Sequence, residues 1–136
     1  MKTLLVALLL SLTLGASAYA SSGGGGGGGS KGSSNYQEIK PPFVVNLPDS
    51  RQLHFMQIAV AVSAKSEEAL KALELHMPLI RNNLIMLFSG QSKEIVNTRE
   101  GREKLRADAE DTVRKSLLEV GAPSIDALYF TSLVVQ

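Results

Sequence analysis

The sequence contains no cysteine and no tryptophan, and only 5% of its 136 residues are aromatic. The absence of cysteine excludes disulfide bonds, thiolate metal sites and a cysteine nucleophile, and also the acylated cysteine of a bacterial lipoprotein. The scarcity of aromatic rings argues against a platform on which nucleic-acid bases stack. A chain without thiols is compatible with either redox compartment, so the compartment has to be inferred from other features.

A strong excess of charge of either sign is also missing. Lys and Arg together number 14 and Asp and Glu 13, which gives a formal net charge of +1. We therefore expect neither a broad basic surface that would bind nucleic acid nor an acidic tail. Hydrophobic residues make up 44% of the chain, an ordinary share for a globular protein. The length fits one domain with short additional segments.

Residues that could carry out catalysis are sparse and scattered. His54 and His76 lie far apart in the sequence, with no His or Cys partner at metal-binding spacing. The acidic residues alternate with Lys and Arg, which is typical of a solvated helix face and not of a carboxylate pair across a cleft. No serine has an obvious base. The sequence therefore predicts a protein without enzymatic activity, metal or cofactor.

The chain begins MKTLLVALLLSLTLGASAYA, which has the order of a secretory signal peptide. Lys2 precedes an apolar run, and Ala18 and Ala20 form an A-x-A motif that predicts cleavage after Ala20. The apolar run is short for a bilayer, which needs roughly 20 residues. An uncleaved anchor stays open as the alternative, because no charge lies between Lys2 and Lys31. In both cases the remaining chain lies outside the cytoplasm.

The segment SSGGGGGGGSKGSS that follows is predicted to be a flexible tether. It matches G-x-S-x-G around Ser30 and G-x-G-x-x-G within the glycine run, but both motifs need a strand before and a helix after. Neither flank offers these elements. The predicted organisation is a signal peptide or uncleaved anchor over residues 1–20, a linker over 21–35 and one folded domain over 36–136.

The pattern of apolar residues predicts an α+β fold with the order β-β-α-α-β. A short strand around Phe43 and a long central strand over residues 53–63 come first. Pro78 should kink the next helix, or divide it into two abutting helices, over residues 66–89. A second helix follows over residues 98–120, and a strand ends the chain. We expect a mainly antiparallel sheet with the helices on one side.

The first helix ends in an unusually apolar segment, LIMLF, over residues 84–88. A helix that is apolar all round must be covered on all sides. The sheet and the second helix could supply that cover, or part of the surface could meet another subunit or protein, with polar neighbours as its rim. The candidate contact residues are Arg81, Asn82, Asn83, Ile85, Met86 and Phe88.

Four segments of this domain, PPFVVNLPD, HMPLIRNNLIMLFSGQ, TREGREKLRADAEDTVRKSL and YFTSLVVQ, occur in the order and spacing of one known family. Over residues 39–136 the chain resembles the flagellar basal-body-associated protein FliL. The resemblance implies a stomatin-like (SPFH-like) domain that forms homo-oligomeric rings beside the stator units of the flagellar motor. It also implies flagellar stator and basal-body proteins as partners, no cofactor, and a periplasmic location at the inner membrane.

The N-terminus departs from this family, whose members usually have a cytoplasmic tail and a full transmembrane helix. A cleaved signal would give a free periplasmic protein, such as a FliL-like paralogue. A general periplasmic scaffolding protein of the same fold is the alternative function. A small periplasmic hydrolase is a third hypothesis, supported only by the motif at Ser30.

Overall fold

The structure, a computed structural model, describes residues 35–48 and 52–136. The predicted signal peptide with its cleavage motif at Ala18 and Ala20, and almost all of the predicted linker, lie outside the described residues. The elements follow in the order β1 (Asn35–Leu47), β2 (His54–Ala64), α1 (Glu67–Leu75), α2 (Met77–Ser89), α3 (Lys93–Val96), α4 (Arg99–Glu119) and β3 (Ala127–Val135).

The three strands form one antiparallel sheet in the order β1-β2-β3, so β2 is central, as the sequence predicts. Alternate residues of β2 from His54 to Ala64 are buried, whereas Phe55 and Gln57 on its other face are exposed. Two irregularities interrupt the ladders. One lies between Ile39 and Phe43 of β1, and the other lies in β3 opposite Ala59 and Val60. The sheet therefore has one buried face and one open face.

The junction between α1 and α2 explains the place of Pro78. Ser66 caps α1 by accepting a hydrogen bond from the backbone N–H of Ala69, 3.3 Å away. α1 ends at Leu75 with His76 as its C-terminal cap, and α2 begins at Met77 with Pro78 in its first turn. A proline there loses no helical hydrogen bond, because the first N–H groups of a helix have no partner within it. Of the two predicted alternatives, a kinked helix or two abutting helices, the structure shows the second.

The core lies between the buried face of the sheet and the helices. α2 packs against β1 and α4, and α4 also packs against β3. The ring of Phe88 contacts Phe43 edge-on at 5.2 Å between centroids and Phe130 at 6.0 Å. These rings join α2 to both edge strands. The α4 residues buried here are Leu105, Ala109, Val113 and Leu117.

Several predictions about element ends differ from the structure. Gly90, which follows α2, has a φ of −85°, and among the described residues only Gly121 has a positive φ, at 69°. The helix predicted over residues 98–120 is α4, and Val120, which follows its last residue, is 38% exposed. The four-residue α3 was not predicted; Ser92 caps it by accepting from the Ile95 N–H. β1 also begins earlier than expected, at Asn35.

Candidate interaction surface

The outward face of α2 has a row of exposed residues at helical spacing, namely Asn82, Ile85, Met86 and Ser89. Met86 is 69% exposed and Ile85 41%. The Asn82 Nδ2 atom lies 3.9 Å from the Met86 sulfur, and the Ser89 hydroxyl donates to the Ile85 carbonyl. None of the four side chains is charged. We call these four residues the α2 outer face.

Phe88 does not belong to this surface. Its exposed fraction is 0%, and its ring packs between Phe43 and Phe130. It lies four residues after Leu84, which places both on the inner stripe with Ile80. The sequence-based inclusion of Phe88 among the contact residues is corrected, because a side chain in the core cannot meet a partner.

The polar residues before LIMLF have separate roles. Arg81 lies over the ring of Phe43, 4.3 Å from its centroid, and its Nη1 donates to the Pro41 carbonyl at 2.7 Å. This contact attaches α2 to the irregular part of β1. The Asn83 amide donates to the Ser116 hydroxyl at 2.9 Å, facing α4. Only Asn82 of the predicted rim lies on the α2 outer face.

The open face of the sheet is a second surface with exposed apolar groups. Tyr36 of β1 and Tyr129 of β3 approach across β2, with ring centroids 5.9 Å apart. Ala61 of β2, which pairs with Tyr129 in the ladder, is only 6% exposed. Other large apolar side chains exposed on this face are Val44, Phe55 and Val134. The sequence analysis predicted that β2 is the central strand but did not identify this surface.

Charged residues on the inner flank of α4 form a cluster that holds β3. Glu110 accepts hydrogen bonds from Arg106 Nη1 at 2.8 Å and from the backbone N–H of Leu128 at 3.1 Å. Arg106 also donates to the Leu128 carbonyl at 3.0 Å, and Arg114 pairs with Glu110 and donates to the Asp126 carbonyl. The sequence analysis treated these residues as a solvated face. The i,i+4 spacing of Arg106, Glu110 and Arg114 was the available indication that they form one group.

The surroundings of Glu110 shift its titration. Burial alone would raise the pKa of its carboxyl, but the hydrogen bonds from Leu128 and Arg106 and the charge of Arg114 outweigh that effect and hold the pKa below its usual value. The hydrogen bond from Arg106 likewise lowers the pKa of Glu103. Glu110 is thus ionised over the physiological range and connects α4 with β3.

The two histidines, His54 and His76, contact other parts of the fold. His54 is 8% exposed, with its Nδ1 3.3 Å from the Gln136 carbonyl and its Nε2 3.2 Å from the Lys93 amine. His76 lies at the α1–α2 junction, where its N–H donates to the Ala72 carbonyl. Within residues 35–48 and 52–136, no three His, Cys, Asp or Glu side chains are grouped so that they could hold a metal ion.

Within the described residues, two open depressions lie beside the irregular parts of the edge strands. One, of about 500 Å³, is lined by the irregular parts of β1 and β3 on either side of Ala59 and Val60. The other, of about 800 Å³, runs between the first turns of α4 and β3, and its lining includes Arg99, Arg102 and Leu133. In the described part of the chain, no helix is both long and apolar enough to cross a bilayer.

Comparison with known proteins identifies relatives of this domain. The family model described as "Flagellar basal body-associated protein FliL" matches residues 36–136. The flagellar protein FliL of Aquifex aeolicus is 28% identical over 99 residues, which is 73% of this chain and 60% of that protein.

Two further relatives are similar. FliL of Escherichia coli K12 is 28% identical over 96 residues, 69% of this chain and 60% of its own length. The flagellar protein LafL of Vibrio parahaemolyticus is 25% identical over 108 residues, 79% of this chain and 64% of its own length. The matched part of the chain thus spans less than two thirds of each of these relatives.

Proposed function

Because the chain belongs to the FliL family of flagellar basal-body-associated proteins, we propose that it is a motor accessory that self-associates and supports stator function in motility. The family is not an enzyme family, and the relatives described above are flagellar proteins. The proposed place of action is the periplasm, at the inner membrane and basal body. The proposed mechanism is protein–protein contact alone.

The observation that carries the self-association part of this proposal is the α2 outer face. Ile85 and Met86 are exposed on a helix whose outward row has no charge, although a helix that faces only water normally has charged residues there. An exposed pair of this kind suits burial against a neighbouring subunit. The exposed tyrosines of the open sheet face add a second apolar surface, and Tyr is enriched in protein interfaces.

The stomatin-like assignment and the ring are parts of the same proposal. A three-stranded antiparallel sheet covered on one side by helices is compatible with that fold. A ring requires a heterologous contact, in which two different surfaces of the subunit meet. The α2 outer face and the open sheet face are two such surfaces.

A motility experiment tests the proposal. We expect deletion of the gene to reduce swimming at high viscosity or swarming, and to lower the number of fluorescently tagged stator units at the motor. Complementation with the double variant Ile85→Asp and Met86→Asp should restore less motility than the wild type. The single variant Leu118→Asp, which changes an exposed apolar residue on α4, is the matched control and should complement fully.

Normal motility of the deletion strain at every load and viscosity would contradict the proposal. Recovery of another periplasmic partner, without stator or basal-body components, would favour the general scaffolding function instead.

A further inference from the structure

The two edges of the sheet differ in how they are protected. At the β1 edge, Pro41 and Pro42 have no N–H to offer, and the strand is irregular between Ile39 and Phe43. Arg81 already occupies the Pro41 carbonyl, and exposed Lys40 pairs with Glu38 at 2.9 Å. Proline, irregularity and exposed charge are the devices by which proteins prevent an edge strand from pairing with another chain.

The β3 edge lacks most of these devices. Its sequence, ALYFTSLVV, has no proline and no charge, and among the described residues β3 pairs only with β2. Phe55 and Gln136 exchange two backbone hydrogen bonds of 2.8 Å. In an antiparallel ladder, such pairs alternate with residues whose N–H and C=O point away from the partner strand. Val135 and Leu133 therefore direct their backbone groups to the outer edge.

Space and charge at this edge favour one kind of occupant. The depression of about 800 Å³ follows β3 from Tyr129 to Leu133, and the start of α4 forms its other wall. Arg106 in that wall is paired with Glu103 and Glu110. Arg102 uses its Nε to donate to the Val96 carbonyl, and Arg99 is exposed. Beyond the internal pairs, the wall therefore has an excess of positive charge.

We propose that the β3 edge binds an extended, acidic segment of another protein as a fourth strand, with carboxylates of that segment paired to Arg99 and Arg102. Backbone hydrogen bonds to Leu133 and Val135 would give affinity, and the arginines would select acidic side chains. A second copy of this chain is a poorer occupant, because its β3 has no carboxylate and it would add a second arginine-lined wall. This inference goes beyond the motility role and is tested on the purified protein.

Binding of synthetic peptides tests the inference directly. The probe is an eight-residue peptide of alternating valine and glutamate, and the matched control peptide has glutamine in place of glutamate. We expect the glutamate peptide to bind about tenfold more tightly than the glutamine peptide, as measured by fluorescence anisotropy. Added salt should weaken the binding of the glutamate peptide. Amide exchange measured by NMR should slow at Leu133 and Val135 when this peptide binds. Equal affinity for the two peptides, or no binding, would overturn the proposal.

Variants of the protein locate the site. Arg99→Glu should abolish the preference for the glutamate peptide, whereas Lys115→Glu, the same change at an exposed position near the other end of α4, should leave it intact. Val135→Pro removes an outward backbone N–H without removing a hydrogen bond to β2, so it should weaken the binding of both peptides. A thermal melt establishes whether each variant is folded. If Arg99→Glu is not folded, Arg99→Gln is used in its place.

Other results would contradict the proposal. Equal loss of binding in Lys115→Glu would mean that net charge, and not this site, selects the peptide. Slowed exchange on β1 instead of β3 would place the peptide elsewhere. A homodimer in sedimentation that Val135→Pro dissociates would identify a second copy as the occupant.

Discussion

Helices α2 and α4 pack against each other on the same face of the sheet, yet their solvent sides differ. α2 buries Ile80, Leu84 and Phe88 completely, and α4 buries Leu105 and its stripe in the same way. On the outside, however, α4 has ion pairs such as Lys104 with Asp108 at 2.6 Å, whereas the α2 outer face has no charge.

The two helices are similar on the buried side and differ on the solvent-facing side. The inner stripes of the two helices are alike because both face one core, so these stripes say little about function. The outer faces of the two helices, in contrast, differ in charge. α4 is suited to water, and the uncharged α2 outer face is suited to a protein neighbour.

The largest expected change in stability is at the inner side of α2, and a substitution on its outer side should have little effect. Phe88→Ala should lower the free energy of unfolding by about 3–5 kcal/mol, because it removes a fully buried ring and leaves a cavity. Met86→Ala, two residues earlier on the α2 outer face, should change it by less than about 0.5 kcal/mol. Urea denaturation measures both. Similar losses in the two variants would mean that Met86 is also a core residue.

Gly90 at the end of α2 and Gly101 at the start of α4 differ in the space that is available for a side chain. A Cβ on Gly101 would lie 2.0 Å from the Ile95 carbonyl oxygen, so α3 would have to move. We expect Gly101→Ala to destabilise the domain by about 3 kcal/mol. A Cβ on Gly90 would come no closer than 3.7 Å to any atom, and its φ is negative, so Gly90→Ala should be neutral or slightly stabilising. Thermal unfolding that ranks the two variants equally would contradict this contrast.

The charged side of α4 should make stability depend on pH. Glu110 has a lowered pKa in the folded state, so its contribution is present above the ordinary pKa of glutamate and is lost as the pH falls through the folded value. Glu110→Gln should cost about 1–2 kcal/mol at neutral pH and flatten the decline of stability in acid. Asp111→Asn, at an exposed neighbour, should keep the wild-type decline. A mutant curve parallel to that of the wild type would exclude Glu110 as the source.

A small effect on stability should accompany a large effect on association at the α2 outer face. The double variant Ile85→Asp and Met86→Asp should lower the free energy of unfolding by less than about 1 kcal/mol, because both side chains are exposed. It should nevertheless shift the protein to monomers in analytical ultracentrifugation. Leu118→Asp, at a residue that is 77% exposed on α4, should leave the oligomer intact. If Leu118→Asp dissociates the oligomer instead, the contact lies on α4.

The sequence predicted the fold well where local chemistry and periodicity agree. Pro78 indicated the break between α1 and α2, and the apolar residues along β2 indicated that this strand is central in the sheet. It failed at Phe88, because five consecutive apolar residues leave the division between inside and outside to the exact helical phase. It also failed at Glu110, because the role of this residue depends on its contact with β3. The residue pattern of α4 alone cannot predict such a tertiary contact.

The directions of the edge strands have a mechanical consequence. Asn35 pairs with Ala64 at one end of β2, and Gln136 pairs with Phe55 at the other. A force that draws Asn35 and Gln136 apart therefore slides β1 and β3 along β2. The ladder hydrogen bonds, which run perpendicular to the strands, must then rupture together and not one after another. The domain should therefore resist tension that is applied between these two points.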